Sequence, residues 1–383
     1  MTWNWQQPDW PDFAWDQTRL AKAEERYLLE AGECRGVLKH LGAVERDQLA
    51  ADAMSEEAVT TSAIEGEILE RASVQSSIRR QLGLAADTRR VTAAEQGIAE
   101  MMVDLCHSYA EPLSDARLFA WHRLLASGRT DLEDIGRYRT GSDPMQVVSG
   151  PLQARKVHFE APPSPDMPRE MARFIGWFSR TAPNGATPLP ALTRAGLAHL
   201  YFVSIHPFDD GNGRIARAVA EKALAQNLGY PTLTTLAATI LAKRKAYYDE
   251  LEANNKSGEI TPWLAWFAET AIEAQRRTIA LIEFSIDKTR LLDRLRDRLN
   301  DRQQKALERM LREGPDGFKG GLSASNYITI TGASPATATR DLADLVEKRA
   351  LDRAGERRHA RYHIAIPLRP VAPVTLDEQG EVI

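Results

Sequence analysis

The sequence predicts a mainly α protein: a helical bundle carrying one small β-hairpin, followed by a separate small module of helices and a hairpin. Three observations predict it. Residues 16–83 are rich in Ala, Glu, Leu and Arg and contain no proline. Apolar residues then recur at helical spacing over 118–125, 167–181, 189–204, 214–227 and 238–254, as expected of consecutive helices. Strand and hairpin patterning is found at 145–163 and in the stretch after 350.

In chain order, the first fifteen residues hold Trp3, Trp5, Trp10 and Trp15, half of the eight tryptophans. Pro8 and Pro11 interrupt them, so an extended segment is predicted. That much aromatic area should pack across another part of the molecule. At 383 residues the chain can form two or three domains. The predicted divisions are 1–84, 85–290, 291–366 and a disordered tail at 367–383, where prolines and acids accumulate.

A net charge of −4 excludes a global field for nucleic acid or anionic membrane. Cys34 and Cys106 offer neither a disulfide framework nor a metal spacing. With no basic, apolar leader and no apolar run of about 18 residues, a soluble, cytoplasmic protein without a membrane partner is expected.

The most informative stretch is His206-Pro207-Phe208-Asp209-Asp210-Gly211-Asn212-Gly213-Arg214-Ile215-Ala216-Arg217. Its glycines let backbone N–H groups close around an anion at the start of a new helix. Arg214 and Arg217 share one face of that helix, and Ile215, Ala218, Val219, Ala223 and Leu224 form its predicted buried stripe, leaving the arginines elsewhere. His206 can take a proton near neutral pH. Asp210 is a hard oxygen ligand suited to Mg²⁺ together with phosphate oxygens. The residues describe a nucleotide-phosphate site with a base beside it. A lone histidine, a lone Gly-x-Gly or a lone arginine pair would each be read as ordinary structure.

At every defined position this string resembles the Fic-family signature His-x-Phe-x-[Asp/Glu]-Gly-Asn-Gly-Arg-x-x-Arg. The family consists mostly of enzymes that move AMP from ATP onto protein hydroxyls. Gly213 stands where the related Doc-type phosphotransferases carry Lys, so the resemblance implies AMP transfer. It implies His206 as general base, Asp210 as the Mg²⁺ ligand, and Gly211, Asn212, Gly213, Arg214 and Arg217 as the phosphate cradle, with Arg217 on the γ-phosphate.

Thr61-Ser62-Ala63-Ile64-Glu65-Gly66 reads by itself as a helix end. It also resembles the family's inhibitory pattern [Ser/Thr]-x-x-x-Glu-[Gly/Asn], lying before the main motif as in class II proteins. The resemblance implies that Glu65 salt-bridges Arg217, with Thr61 fixing the helix. Some relatives with this arrangement instead remove AMP, with the glutamate as base.

Residues 145–148 and 156–159, around Ser149-Gly150-Pro151, predict a hairpin that Pro162-Pro163 stops. It resembles the family's flap, which pairs by strand addition with a target segment; Val157 and His158 carry that assignment. Ile135-Gly136-Arg137-Tyr138-Arg139 resembles a further family element. Tyr247-Tyr248 and Asn254-Asn255 are candidates for an adenine pocket, Tyr248 foremost, with core packing the better reading for one tyrosine. Trp263 and Trp266 read as core.

The C-terminal module predicts a charged helix over 291–312, a short helix near 323–328, a helix capped by Ser334 and Pro335, and strands near 351 and 362–366. The order resembles a winged helix. From Ser334 to Ile366, seven Lys or Arg face five Asp or Glu, a thin phosphate footprint, although Arg353, Arg357, Arg358 and Arg361 gather in the wing. DNA contact and protein contact both stay open. A target protein and a homodimer are the remaining partners the resemblance implies; the target itself leaves no trace in the sequence.

Overall fold

The computed structural model describes residues 2–39, 41–151, 155–232 and 234–383, with the side chain of Arg358 outside the description. The chain forms two compact units, Met1–Gln275 with Pro373–Ile383, and Arg276–Ala372.

In the first unit, helices α1 (Thr18–Lys39), α2 (Ala43–Ile64) and α3 (Arg71–Gln81) form the N-terminal layer. They are followed by α4 (Ala93–His107), α5 (Asp115–Leu125), the hairpin β1 (Gln146–Ser149) and β2 (Lys156–Glu160), then α6 (Met167–Arg180), α7 (Ala191–Ile205) and α8 (Asn212–Leu228). α9 (Leu236–Ala242), α10 (Arg244–Ala253) and the start of α11 (Thr261–Arg294) complete the layer. Local signals set several starts: Thr92 and Glu95 make a reciprocal capping box on α4, and the Ser114 side chain caps α5.

The α7–α8 pair is the centre, and α8 is wedged against α2, α4 and α5 as well. This crowding overturns one expectation. The motif helix has no solvent side for its arginines: Arg214 is 6% and Arg217 1% exposed. Three other boundaries move. Residues 238–254 form two helices rather than one, broken at Lys243, whose Nζ pairs with buried Glu273 at 2.6 Å. The N-terminal segment includes a 3-10 turn, Asn4–Gln6, closed by Gln6 Oε1 accepting from Trp3 N at 2.9 Å. The tail is ordered from Pro373 on, against expectation, because Val374 is buried in the first unit's core and Glu273 and Glu269 accept from Val374 N and Leu376 N. Apolar Val374, Leu376 and Val382 outweigh the local prolines and acids.

The tryptophan segment does pack across the molecule. Trp3 meets Phe159 edge-on at 5.4 Å, Trp5 Nε1 donates to Glu160 O, and Trp10 Nε1 donates to Glu170. Its role is thus to buttress β2, which pairs antiparallel with β1 through a bulge at Val147/Val148.

The second unit has its own core around Leu307, Leu322, Tyr327, Leu342, Leu345 and Leu351. The predicted 291–312 helix is interrupted: α11 ends at Arg294, and α12 (Asp301–Leu311) restarts at an Asn300–Gln303 capping box. α13 (Ala324–Thr331) and α14 (Pro335–Glu347), the latter capped by Ser334, precede the antiparallel hairpin β3 (Leu351–Ala354) and β4 (Arg361–Ile364).

Candidate active site

The loop from α7 to α8 carries His206 and Asp210, two of the candidate residues. His206 ends α7 in the left-handed region at φ 53°, ψ 58°, a conformation that a non-glycine residue holds only when its surroundings fix it. Arg139 is the fixing group. Its backbone N donates to Pro207 O at 3.0 Å and its Nε to His206 O at 2.8 Å, while Nη1 and Nη2 reach Ser164 Oγ and Pro162 O. The His206 ring keeps Nδ1 near Val203 O at 3.3 Å, and burial lowers its pKa to about 4. A free imidazole is therefore present at neutral pH, as a general base requires.

Asn212 closes the loop rather than facing a ligand with its amide. Its Oδ1 accepts from Phe208 N at 3.0 Å and its Nδ2 donates to Phe208 O at 2.7 Å. Phe208 in turn stacks on His122 at 4.3 Å. The phosphate-binding capacity of Asn212 and Gly213 then lies in backbone N–H groups of the first turn of α8, which have no intrahelical acceptor.

Both motif arginines are already engaged, by two carboxylates from one turn. Arg217 Nη2 donates to Glu65 Oε1 at 2.7 Å and to Thr61 O at 2.9 Å, and its Nε donates to Thr61 Oγ1 at 2.6 Å. Burial alone would depress the Arg217 guanidinium, but the Glu65 charge raises it overall. Two residues on, Glu67 Oε2 accepts from Arg214 Nη1 at 2.5 Å. Gly66 lies between them at φ 87°, where a side chain would be strained, and this turn aims both acids at α8. Gly213 completes the fit, since a methyl there would overlap the Glu65 carboxylate. The expected pairing of Glu65 with Arg217 is present, with Thr61 in its expected place. Glu67 was not anticipated.

Asp210 is also occupied. Its Oδ1 accepts from Gly211 N at 2.6 Å, and its Oδ2 accepts from Arg129 Nη1 at 2.7 Å. Burial would raise the Asp210 carboxyl, but Arg129 and Arg214 hold it below the usual carboxylate range. Among the described residues no cluster of three His, Cys, Asp or Glu could hold a metal ion. One ionised carboxylate suits Mg²⁺ that shares its coordination with nucleotide phosphates and water, so Asp210 fits that role.

Beside the loop opens a cavity of about 540 Å³, lined by Glu65, His206 and Gly213 on one side and by Val147, Val148, Ser149, His158 and Phe159 of the hairpin on another. Its far wall is α10, with Arg244, Tyr248, Asp249 and Glu252. The tyrosine pair divides. Tyr247 is buried, and its hydroxyl lies 3.4 Å from Arg217 Nη1 and 3.1 Å from His199 Nε2. Tyr248 presents its ring to the cavity and donates its hydroxyl to Ile64 O at 3.2 Å, tethering the turn that carries Glu65. Asn255 Nδ2 holds the hairpin through His158 O at 3.0 Å, while its buried Oδ1 has no partner among the described residues. Asn254 instead caps its own helix through Glu250 O. Val157 is half-buried beneath Trp3, and His158 turns its ring toward Glu252, so neither side chain is presented freely for docking. β1 is exposed throughout, whereas His158 O and Glu160 O on β2 accept from Asn255 Nδ2 and Trp5 Nε1.

Comparison with known proteins gives two family matches, the Fic/DOC family over residues 112–224 and a domain of unknown function, DUF4172, over residues 3–84. The chain is similar to proteins named protein adenylyltransferase Fic. The one from Culex quinquefasciatus is 34% identical over 145 residues, covering 36% of this chain and 26% of that protein. The one from Nematostella vectensis is 30% identical over 175 residues, covering 45% and 36%. The chain thus spans about a quarter to a third of these relatives' length. Among solved structures, a Fic family protein from Desulfovibrio desulfuricans G20 aligns over 89% of this chain and 95% of its own, with TM-score 0.51 and 20% identity. A Fic-domain signalling protein from Bacteroides thetaiotaomicron VPI-5482 aligns over 68% and 98%, with TM-score 0.51 and 18% identity. These likenesses identify the helical fold.

Proposed function

The chain is a Fic-domain protein, and from that premise we propose that it transfers AMP from ATP to a Ser, Thr or Tyr hydroxyl of a target protein, restrained by Glu65. The observation that carries this reading is one cluster around two buried arginines: a free imidazole at His206, Arg214 and Arg217 on the first turns of α8, and a carboxylate resting on the second arginine. His206 takes the proton of the attacking hydroxyl. The N-terminus of α8, Arg214 and Arg217 neutralise charge that builds on the departing pyrophosphate. Asp210 would hold Mg²⁺, which would supply further charge neutralisation when bound, and Arg129 is the cation that now occupies its Oδ2. Glu65 withholds Arg217, so ATP entering the wild-type site is misplaced for in-line attack. Tyr248 and the unpaired Asn255 Oδ1 offer a ring face and an acceptor to the base.

The test is transfer of labelled AMP from ATP with Mg²⁺. Strong labelling in Glu65→Gly, weak labelling in wild type and none in His206→Ala supports the reading. Absence of labelling in all three, with ATP bound, defeats it.

One observation favours a second direction. Glu65 lines the same cavity as His206, so it is placed to act as a base on water and remove AMP from a modified protein. Glu65→Gly abolishes removal under that reading and raises transfer under the first. For the second unit, the three helices and terminal hairpin follow the winged-helix order. We propose a contact module there, tested by salt-dependent DNA binding and by its loss in Arg357→Ala. Homodimerisation is tested by light scattering.

A further inference from the structure

Three residues that the AMP-transfer reading leaves idle form a connected chain at the cavity mouth. Glu252 Oε2 lies 2.6 Å from His158 Nδ1, and His158 Nε2 lies 2.6 Å from Ser149 Oγ. All three line the cavity that also holds His206 and Gly213. Glu252, on α10, is itself steadied by Lys156 Nζ at 2.6 Å, and hydrogen bonds from Lys156 and His158 hold its carboxyl below the usual range.

The order of atoms decides the chemistry. An ionised carboxylate only accepts, so the Nδ1 facing Glu252 carries the ring proton. Nε2 is then bare and accepts the Ser149 O–H. Hydroxyl, imidazole and carboxylate in this sequence are the arrangement that turns a serine into a nucleophile, recognised by geometry and not by fold. Ser204 also lines the cavity, but its hydroxyl is claimed by Asn4 Nδ2 at 2.9 Å. Ser149 is exposed and has a base bound to it.

We propose that Ser149 is a nucleotidyl-acceptor site within this chain, activated by His158 and Glu252. The inference rests on the AMP-transfer reading, because the electrophile is the α-phosphorus of a nucleotide in the shared cavity. Ser149 Oγ forms the new P–O bond, and the bond between the α-phosphorus and the bridging oxygen breaks. Pyrophosphate leaves with that electron pair, and the serine proton passes to His158 Nε2. The product is Ser149 esterified to AMP, on the hairpin that faces incoming targets. A modified Ser149 would fill the cavity mouth and limit further turnover.

The test incubates the 383-residue Glu65→Gly chain with ATP and Mg²⁺ and maps AMP by peptide mass spectrometry. AMP on Ser149, falling about 100-fold in rate with His158→Ala and clearly with the shape-conserving Glu252→Gln, is the expected result. AMP found only on other residues or on added protein overturns the acceptor assignment and leaves the transferase reading intact. No AMP on anything, with ATP bound, overturns both. Because His158→Ala also loosens the hairpin, labelling by a fluorophosphonate probe without nucleotide gives a second readout. Ser149 should react in wild type, and Ser149→Ala should not. Wild-type labelling no faster than that of the other exposed serines contradicts the activated hydroxyl.

Discussion

The motif loop and the hairpin face one cavity and are built in opposite ways. In the motif loop the chain is largely buried and held by specific partners: Arg139 binds the main-chain oxygen of His206, Asn212 binds the main chain of Phe208, and Glu65 and Thr61 bind the Arg217 side chain. In the hairpin, β1 is exposed throughout and β2 hangs on Trp3, Trp5 and Asn255. Under the AMP-transfer proposal the difference separates two tasks. Positioning a phosphate within a fraction of an ångström needs a rigid, water-poor site. Accepting varied protein segments needs a free backbone edge, which reads no side chains.

Perturbing the motif loop should therefore give the larger effects. His206→Ala removes the base and is expected to lower AMP transfer by about 100-fold or more, measured by single-turnover labelling. Glu65→Gly frees Arg217 and should raise transfer by up to about 100-fold. Glu67→Gln frees Arg214 alone. We expect a smaller gain, seen as tighter ATP binding by calorimetry, and combined with Glu65→Gly the gains should not add, since both acids sit on one turn. Arg129→Ala should lower the Mn²⁺ concentration needed for half-saturation, followed by electron paramagnetic resonance, because Asp210 loses its competing cation.

A pH experiment sharpens the contrast within the buried region. Burial lowers the pKa values of His206 and His122 to about 4, and that of His199 to about 3, from an ordinary 6.5. Between those limits the unfolded chain binds more protons than the folded one, so stability rises with pH across that window. Acidification from about pH 6.5 toward 4 should progressively lower the denaturant midpoint. For the same reason the acid limb of kcat/KM should fall nearer 4 than 6.5.

Much of the active region was legible because its signal is contiguous. Residues 206–217 hold the candidate base, the candidate metal ligand, the turn and both arginines in one string, and the 61–66 pattern points to the carboxylate that meets Arg217. What escaped was long-range pairing. Glu67 lies 147 positions from Arg214, Arg129 lies 81 from Asp210, and Arg139 lies 67 from His206. No local periodicity links such residues. The burial of the arginines escaped for a related reason: an apolar stripe on α8 describes one face, while α2, α4, α5 and α7 cover the rest. The order of the tail was not legible because its prolines and acids say nothing of the core that Val374 joins.

The central claim is that Glu65 restrains the enzyme by withholding Arg217. A double-mutant cycle of AMP transfer, comparing wild type, Glu65→Gly, Arg217→Ala and the double variant, tests it directly. The account predicts that Glu65→Gly accelerates transfer only when Arg217 is present, and that in the Arg217→Ala background it adds nothing. An equal acceleration in both backgrounds would contradict it.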